Sequence, residues 1–129
     1  MTLTRTMTTV LTADVQGTSA FYRSLLGLKE HFSSDWFVVL THDAVPGLEF
    51  GILAADSDVA PNKLARAPGG LMMTFVVADV DATHETAEGM GADIVEPPRD
   101  LFYGQRRMLV RDPNGVLIDL SSPTAPAPS

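Results

Sequence analysis

The tripeptide Ala13-Asp14-Val15 recurs as Ala78-Asp79-Val80. Each copy follows a strand-like stretch and opens a helix that stops at a glycine, Gly27 in the first case and Gly91 in the second. The interval from Asp14 to Gly27 nearly equals that from Asp79 to Gly91. Self-similarity of this kind constrains a fold more than any single motif, because each copy must bury the same face. The surrounding pattern agrees. An alternating run of Thr, Met, Val and Leu over residues 5–12 reads as a strand. In residues 17–26, Phe21 with Leu25 and Tyr22 with Leu26 stand four apart on one helical stripe. Strands are expected at 28–34, 36–41 and 47–54, the last after a Pro46-Gly47 turn. The second copy repeats the order: strand 71–78, helix 80–90, then strands 93–96, 104–111 and 116–121. Asp112-Pro113-Asn114-Gly115 turns between the last two. The expected architecture is α+β: two βαβββ modules forming a curled eight-stranded mixed sheet around a cleft, with helices on the outer face.

A chain of 129 residues fits one domain. The expected domain spans residues 1–122, with modules at about 5–54 and 71–121. Residues 55–70, which include Pro61, Pro68, Gly69 and Gly70, read as the linker. Residues 123–129 alternate proline with small residues and read as a disordered tail. Cysteine is absent, which excludes disulfides, thiol nucleophiles and thiolate metal sites. A net charge of −7 argues against nucleic-acid binding, and Arg106, Arg107 and Arg111 are too few for a phosphate footprint. No apolar run approaches a membrane span, and the N-terminus lacks the core of a signal peptide. The expectation is a soluble, cytoplasmic protein with no nucleic-acid or membrane partner.

Four segments carry a resemblance to a known family. They are Phe21-Tyr22-Arg23-Ser24-Leu25-Leu26-Gly27-Leu28, Val77-Ala78-Asp79-Val80-Asp81, Gly104-Gln105-Arg106, and Asp112-Pro113-Asn114-Gly115-Val116-Leu117-Ile118-Asp119-Leu120. Together they resemble the vicinal oxygen chelate superfamily, which holds glyoxalases, bleomycin-resistance proteins, fosfomycin-resistance enzymes and extradiol dioxygenases. The resemblance runs over about residues 5–121 and implies paired βαβββ modules around a cleft and a homodimer.

In metal-dependent members, the first and fifth strands each supply His and the fourth and eighth each supply Glu. By the resemblance those positions are Met7, Glu49, Met72 and Asp119 here. The repeat agrees, since Met7 and Met72 each lie seven residues before the Asp of Ala-Asp-Val. Thioethers are soft donors that bind hard divalent ions weakly, so no metal or other cofactor is expected. His31, His42 and His84 share no strand face with Glu49 or Asp119 in this alignment and read as ordinary surface or partly buried histidines. Glu49 and Asp119 interrupt apolar alternation, as cleft-facing acids or as solvated strand-face acids. In a shared dry pocket each would raise the other's pKa.

The expected cleft residues are Met7, Thr9, Glu49, Met72, Thr74, Tyr103, Arg106 and Asp119, with Leu11 and Val76 as further walls. Whether Arg106 or Arg107 points inward is left open by the sequence. The leading expectation is a metal-free protein that binds a small, partly apolar ligand, in the manner of bleomycin-resistance-like proteins. The alternative is an enzyme, either a metal-free acid–base isomerase or a metal-dependent lyase or dioxygenase.

Overall fold

The computed structural model describes residues 2–60 and 69–124. Among these, the order is β1 (Thr8–Thr12), α1 (Val15–Leu26), β2 (Lys29–Ser33), β3 (Phe37–Thr41), β4 (Phe50–Ala54), β5 (Met72–Val76), α2 (Val80–Gly89), β6 (Asp93–Asp100), β7 (Gln105–Arg111) and β8 (Leu117–Pro123). The chain gathers into two compact units, Met1–Arg66 and Ala67–Ser129, each holding one βαβββ module. The eight strands form two four-stranded mixed sheets, ordered β1-β4-β3-β2 and β5-β8-β7-β6. In each, the first and last strands of the module pair in parallel and the remaining pairs are antiparallel.

The repeated aspartate is a helix cap. Asp14 accepts from the Gly17 N–H at 2.9 Å, and Asp79 accepts from the N–H groups of Asp81 and Ala82 at 3.0 and 3.3 Å. A carboxylate there satisfies amides that have no partner within the helix. At its other end α1 stops on Gly27, whose φ of 68° suits glycine and whose N–H bonds the Arg23 carbonyl.

Each helix covers one face of its own sheet. In the first unit Tyr22 is fully buried and meets Phe50 with ring centroids 4.4 Å apart, beside Val38, Leu40 and Ile52. In the second, Val80 and Ala87 are buried with Met108, Val110, Ile118 and Leu120. Strand alternation therefore points the other residues of each sheet to the face away from the helix.

Among the boundaries that differ from the sequence reading, three change the fold most. β6 continues through Pro97 and Pro98 to Asp100, with register shifts on either side of Glu96. The prolines are tolerated because both fall in the register irregularity between Glu96 and Arg99 of an edge strand, outside the regular ladder. β8 extends to Pro123, which pairs with Gln105, and the Thr124 N–H bonds the Gly104 carbonyl at 3.0 Å. Pro123 and Thr124 are thus ordered, whereas the rest of the expected tail lies outside the described residues. Of the expected linker, residues 55–60 fold back onto the first unit, with the Ala55 N–H on the Thr12 carbonyl and Ala60 buried; residues 61–68 lie outside the described residues.

The two caps should be worth similar amounts. Asp79→Ala is expected to destabilise the fold by about 0.5–2 kcal/mol, measured by urea unfolding, and Asp79→Asn by much less.

Candidate functional site

In the first unit the face away from α1 carries Thr9, Gly51, Phe37 and Val39 on adjacent strands, with Thr9 opposite Gly51 and Gly51 opposite Val39. Met7 and Glu49 stand one residue before β1 and β4. A β-carbon built on Gly51 would lie 2.7 Å from Thr9 Oγ1, 3.0 Å from Met7 Sδ and 3.3 Å from Phe37 Cε1. The Met7 thioether and the Thr9 hydroxyl thus occupy the space that glycine leaves. Phe37 continues this surface, with Trp36 stacked at 5.8 Å between centroids and Phe32 at 6.2 Å. This aromatic group was missed in the sequence, where those residues carried no motif.

Glu49 has its own cation. Arg5 donates from Nε to Oε2 at 2.6 Å and from Nη2 to Oε1 at 2.5 Å, engaging both carboxylate oxygens. The Arg5 hydrogen bonds hold the Glu49 carboxyl below the usual carboxylate range against a smaller opposing effect of burial, and the charges of Arg5 and His31 add to the lowering. The expected mutual raising of paired acids therefore does not apply to Glu49. Alternation could have signalled Arg5, which lies two residues before Met7 and so on the same side of an extended chain. The register shift of β2 falls at His31, whose charge acts on Glu49.

The ladders also revise which positions correspond. Thr9 and Thr74 occupy the same place in the repeat; Thr9 stands opposite Gly51, whereas Thr74 stands opposite Asp119. The internal counterpart of Asp119 is thus Gly51, not Glu49.

In the second unit, Met72, Thr74 and Val76 on β5 share a face with Leu117, Asp119 and Ser121 on β8. Gln105, Arg107 and Leu109 on β7 continue it. Asp119 is only 8% exposed. Its Oδ2 accepts from the Thr74 hydroxyl at 3.2 Å, while Oδ1 is buried without a partner. Arg107 reaches Glu96 through Nη2 at 3.4 Å, and its Nε is likewise buried and unpaired.

Arg106 is on the other face. It bonds Asp81 at the start of α2 at 3.1–3.2 Å and Asp100 at 3.1 Å. Arg106 therefore lies on the opposite face from Asp119 and Arg107 on the same face, because adjacent strand residues point to opposite faces. Tyr103 sits in the β6–β7 turn, 57% exposed and in edge contact with the fully exposed Phe102.

Among the described residues, no three His, Cys, Asp or Glu side chains come together as a metal site. His42 Nδ1 accepts from the Ala44 N–H at 3.1 Å, and His84 faces Glu88 at 3.5 Å one helical turn away. The donor set does not fit a divalent metal: two positions are thioethers, and Arg5 takes both oxygens of Glu49.

Residues 4–120 match the family model described as the Glyoxalase/Bleomycin resistance protein/Dioxygenase superfamily. The chain belongs to this superfamily. Among solved structures it is similar to a glyoxalase/bleomycin resistance protein/dioxygenase from Nocardioides, at 20% identity and a TM-score of 0.73, over 98% of this chain and 87% of that one. A glyoxalase/bleomycin resistance protein/dioxygenase family enzyme from Burkholderia phytofirmans PsJN matches at 19% identity and a TM-score of 0.76, over 90% and 95% of the two chains. TioX from Micromonospora sp. ML1 matches at 20% and 0.70, over 92% and 98%. At these identities the likeness is one of fold. No curated protein matches. No helix among the described residues is long and apolar enough to cross a membrane.

Two outcomes test the first unit. Gly51→Ala should destabilise by about 1–3 kcal/mol in urea unfolding, because the new methyl group must displace Thr9 or Met7. Arg5→Met should return the Glu49 pKa toward the ordinary carboxylate range in an NMR titration. With Arg5 present the lowered folded pKa contributes stability above the unfolded value, and that contribution fades as pH falls through the folded one. In Arg5→Met this acid-side loss should shrink.

Proposed function

We propose that this chain is a metal-free small-molecule-binding protein of the superfamily, working in the cytoplasm as a homodimer, with no nucleic-acid or membrane partner. The observation that carries this reading is the dismantled metal set. Met7 and Met72 stand where imidazoles are expected, Arg5 holds Glu49 in an ion pair, and Gly51 is the counterpart of Asp119. What remains on the helix-free faces suits binding. The first unit offers Met7, Phe37 and Trp36, and methionine and aromatic surfaces adapt to varied ligand shapes. The second offers a buried carboxylate with a free oxygen among apolar neighbours, the pairing of apolar wall and placed polar group that ligand sites use.

Dimerisation is supported by apolar exposure on the second sheet, where Val76 is 70% and Met72 44% exposed; surfaces of this kind commonly become interfaces. The rival isomerase reading needs two carboxylates with pKa values pushed apart so that one can hold a proton. Glu49, lowered by Arg5, is a poor proton donor near neutral pH.

Native mass spectrometry of protein purified without chelator tests this reading. The expected result is a dimer with substoichiometric zinc, nickel, iron and manganese. Stoichiometric metal that is lost in Asp119→Asn would overturn it.

A further inference from the structure

The first unit carries a cavity of about 440 Å³ lined by Trp36, Asp56, Ser57, Asp58 and Val59. Trp36 stands just before β3 and residues 56–59 just after β4, so the cavity lies at one end of the sheet. The Ala54 N–H closes that end on the Trp36 carbonyl at 2.8 Å. Glu49 stands at the other end of β4. At about 3.3 Å per residue, the stretch from Glu49 to Ala54 spans roughly 16 Å. The cavity is therefore separate from the positions of Met7 and Glu49, and it shares only Trp36 with the surface described above. We infer that it is a further binding site, for an organic ammonium ion with an apolar body.

The wall sets the charge of the ligand. Asp56 and Asp58 take part in no ion pair or hydrogen bond among the described residues, and neither does Asp35, next to Trp36 in sequence. Among the described residues no lysine or arginine lines the cavity. A net charge of −7 draws cations toward such a place and repels anions.

Trp36 sets the character of the cation. Indole is the side-chain ring that attracts a cation most strongly across its face. Its ring stacks on Phe37 with centroids 5.8 Å apart and planes at 28°, and Phe37 meets Phe32 at 6.2 Å, which holds the indole in place. Trp36 and Val59 are both exposed, and a hydrocarbon body would cover that apolar area. Ser57, in the same wall, has a buried Oγ without a partner among the described residues. Buried hydroxyls are nearly always bonded, so the protein alone does not satisfy this wall.

A bare metal ion fits less well. The volume falls within the roughly 300–1,000 Å³ of small-molecule sites. No third carboxylate and no imidazole joins Asp56 and Asp58 as a metal cluster among the described residues, and Trp36 and Val59 offer no metal ligand.

Trp36 is the single tryptophan of the chain, so its fluorescence, excited selectively over tyrosine, reads this cavity alone. The test titrates the full-length protein with cyclohexylmethylamine, cyclohexylmethanol and cyclohexanecarboxylate, which share one ring and differ in charge. The amine, protonated at neutral pH, should shift the emission saturably, and the other two should bind at least about tenfold more weakly. Asp56→Asn combined with Asp58→Asn should weaken the amine by at least about tenfold. Glu85→Gln combined with Asp93→Asn removes the same charge from the second unit and should leave the affinity unchanged. Thermal unfolding and the emission of the unliganded protein check that both double variants fold. Equal binding of the three compounds, no saturable response to the amine, or an affinity indifferent to Asp56→Asn with Asp58→Asn would each overturn the site. Such a failure leaves the metal-free reading standing, whereas stoichiometric metal lost in Asp119→Asn would remove that reading and leave this site.

Discussion

Parallel pairing of the first and last strands of each module governs the rest of this structure. β1 lies beside β4 and β5 beside β8, so each module closes on itself through a helix and two intervening strands. Parallel neighbours cannot be joined by a tight turn, and the crossover helix that joins them must pack back on the sheet. That packing assigns one face to the core, where Tyr22, Phe50, Ile118 and Leu120 are buried, and leaves the other free of the helix. The capping aspartates Asp14 and Asp79 set where each crossover helix begins.

On that shared scaffold the two modules have diverged in how they satisfy polar groups. In the first, the functional face is occupied by the protein itself: Met7 and Thr9 crowd the space over Gly51, and Arg5 neutralises Glu49. In the second, the matching position holds Asp119, with one oxygen bonded to Thr74 and the other without a partner. A packed apolar surface and an unsatisfied polar one are different binding materials. The first offers shape and dispersion contacts, the second direction and charge.

Arg106 and Arg107 show how strand alternation separates two identical side chains. They are neighbours in sequence and chemically identical, yet strand alternation sends one to the first turn of α2 and the other to the face of Asp119. Arg106 is saturated by two carboxylates and fastens a helix start to β7. Arg107 has one long contact to Glu96 and a free Nε. Their partners, not their charge, set the two apart.

The duplicated Ala-Asp-Val, the glycine stops and the Asp-Pro-Asn-Gly turn were enough to establish two βαβββ modules, because caps and turns are local and depend on a few residues of fixed chemistry. Asp112 illustrates this: it accepts from the N–H groups of Asn114 and Val116 within its own turn, and any sequence with that spacing can do so. The replacement of both imidazoles by thioethers was equally legible, since it rests on residue identity and the repeat alone. The extension of β6 through Pro97-Pro98, the bulge at His31, the pairing of Arg5 with Glu49 and the placing of Arg107 on the face of Asp119 were settled only in three dimensions. Each depends on register between strands far apart in the chain, where a slip of one residue exchanges the two faces of a sheet. The sequence by itself determined the modules and the donor chemistry; tertiary structure decided which acid is already satisfied and which keeps an unpaired oxygen, because satisfaction belongs to pairs of residues brought together by folding.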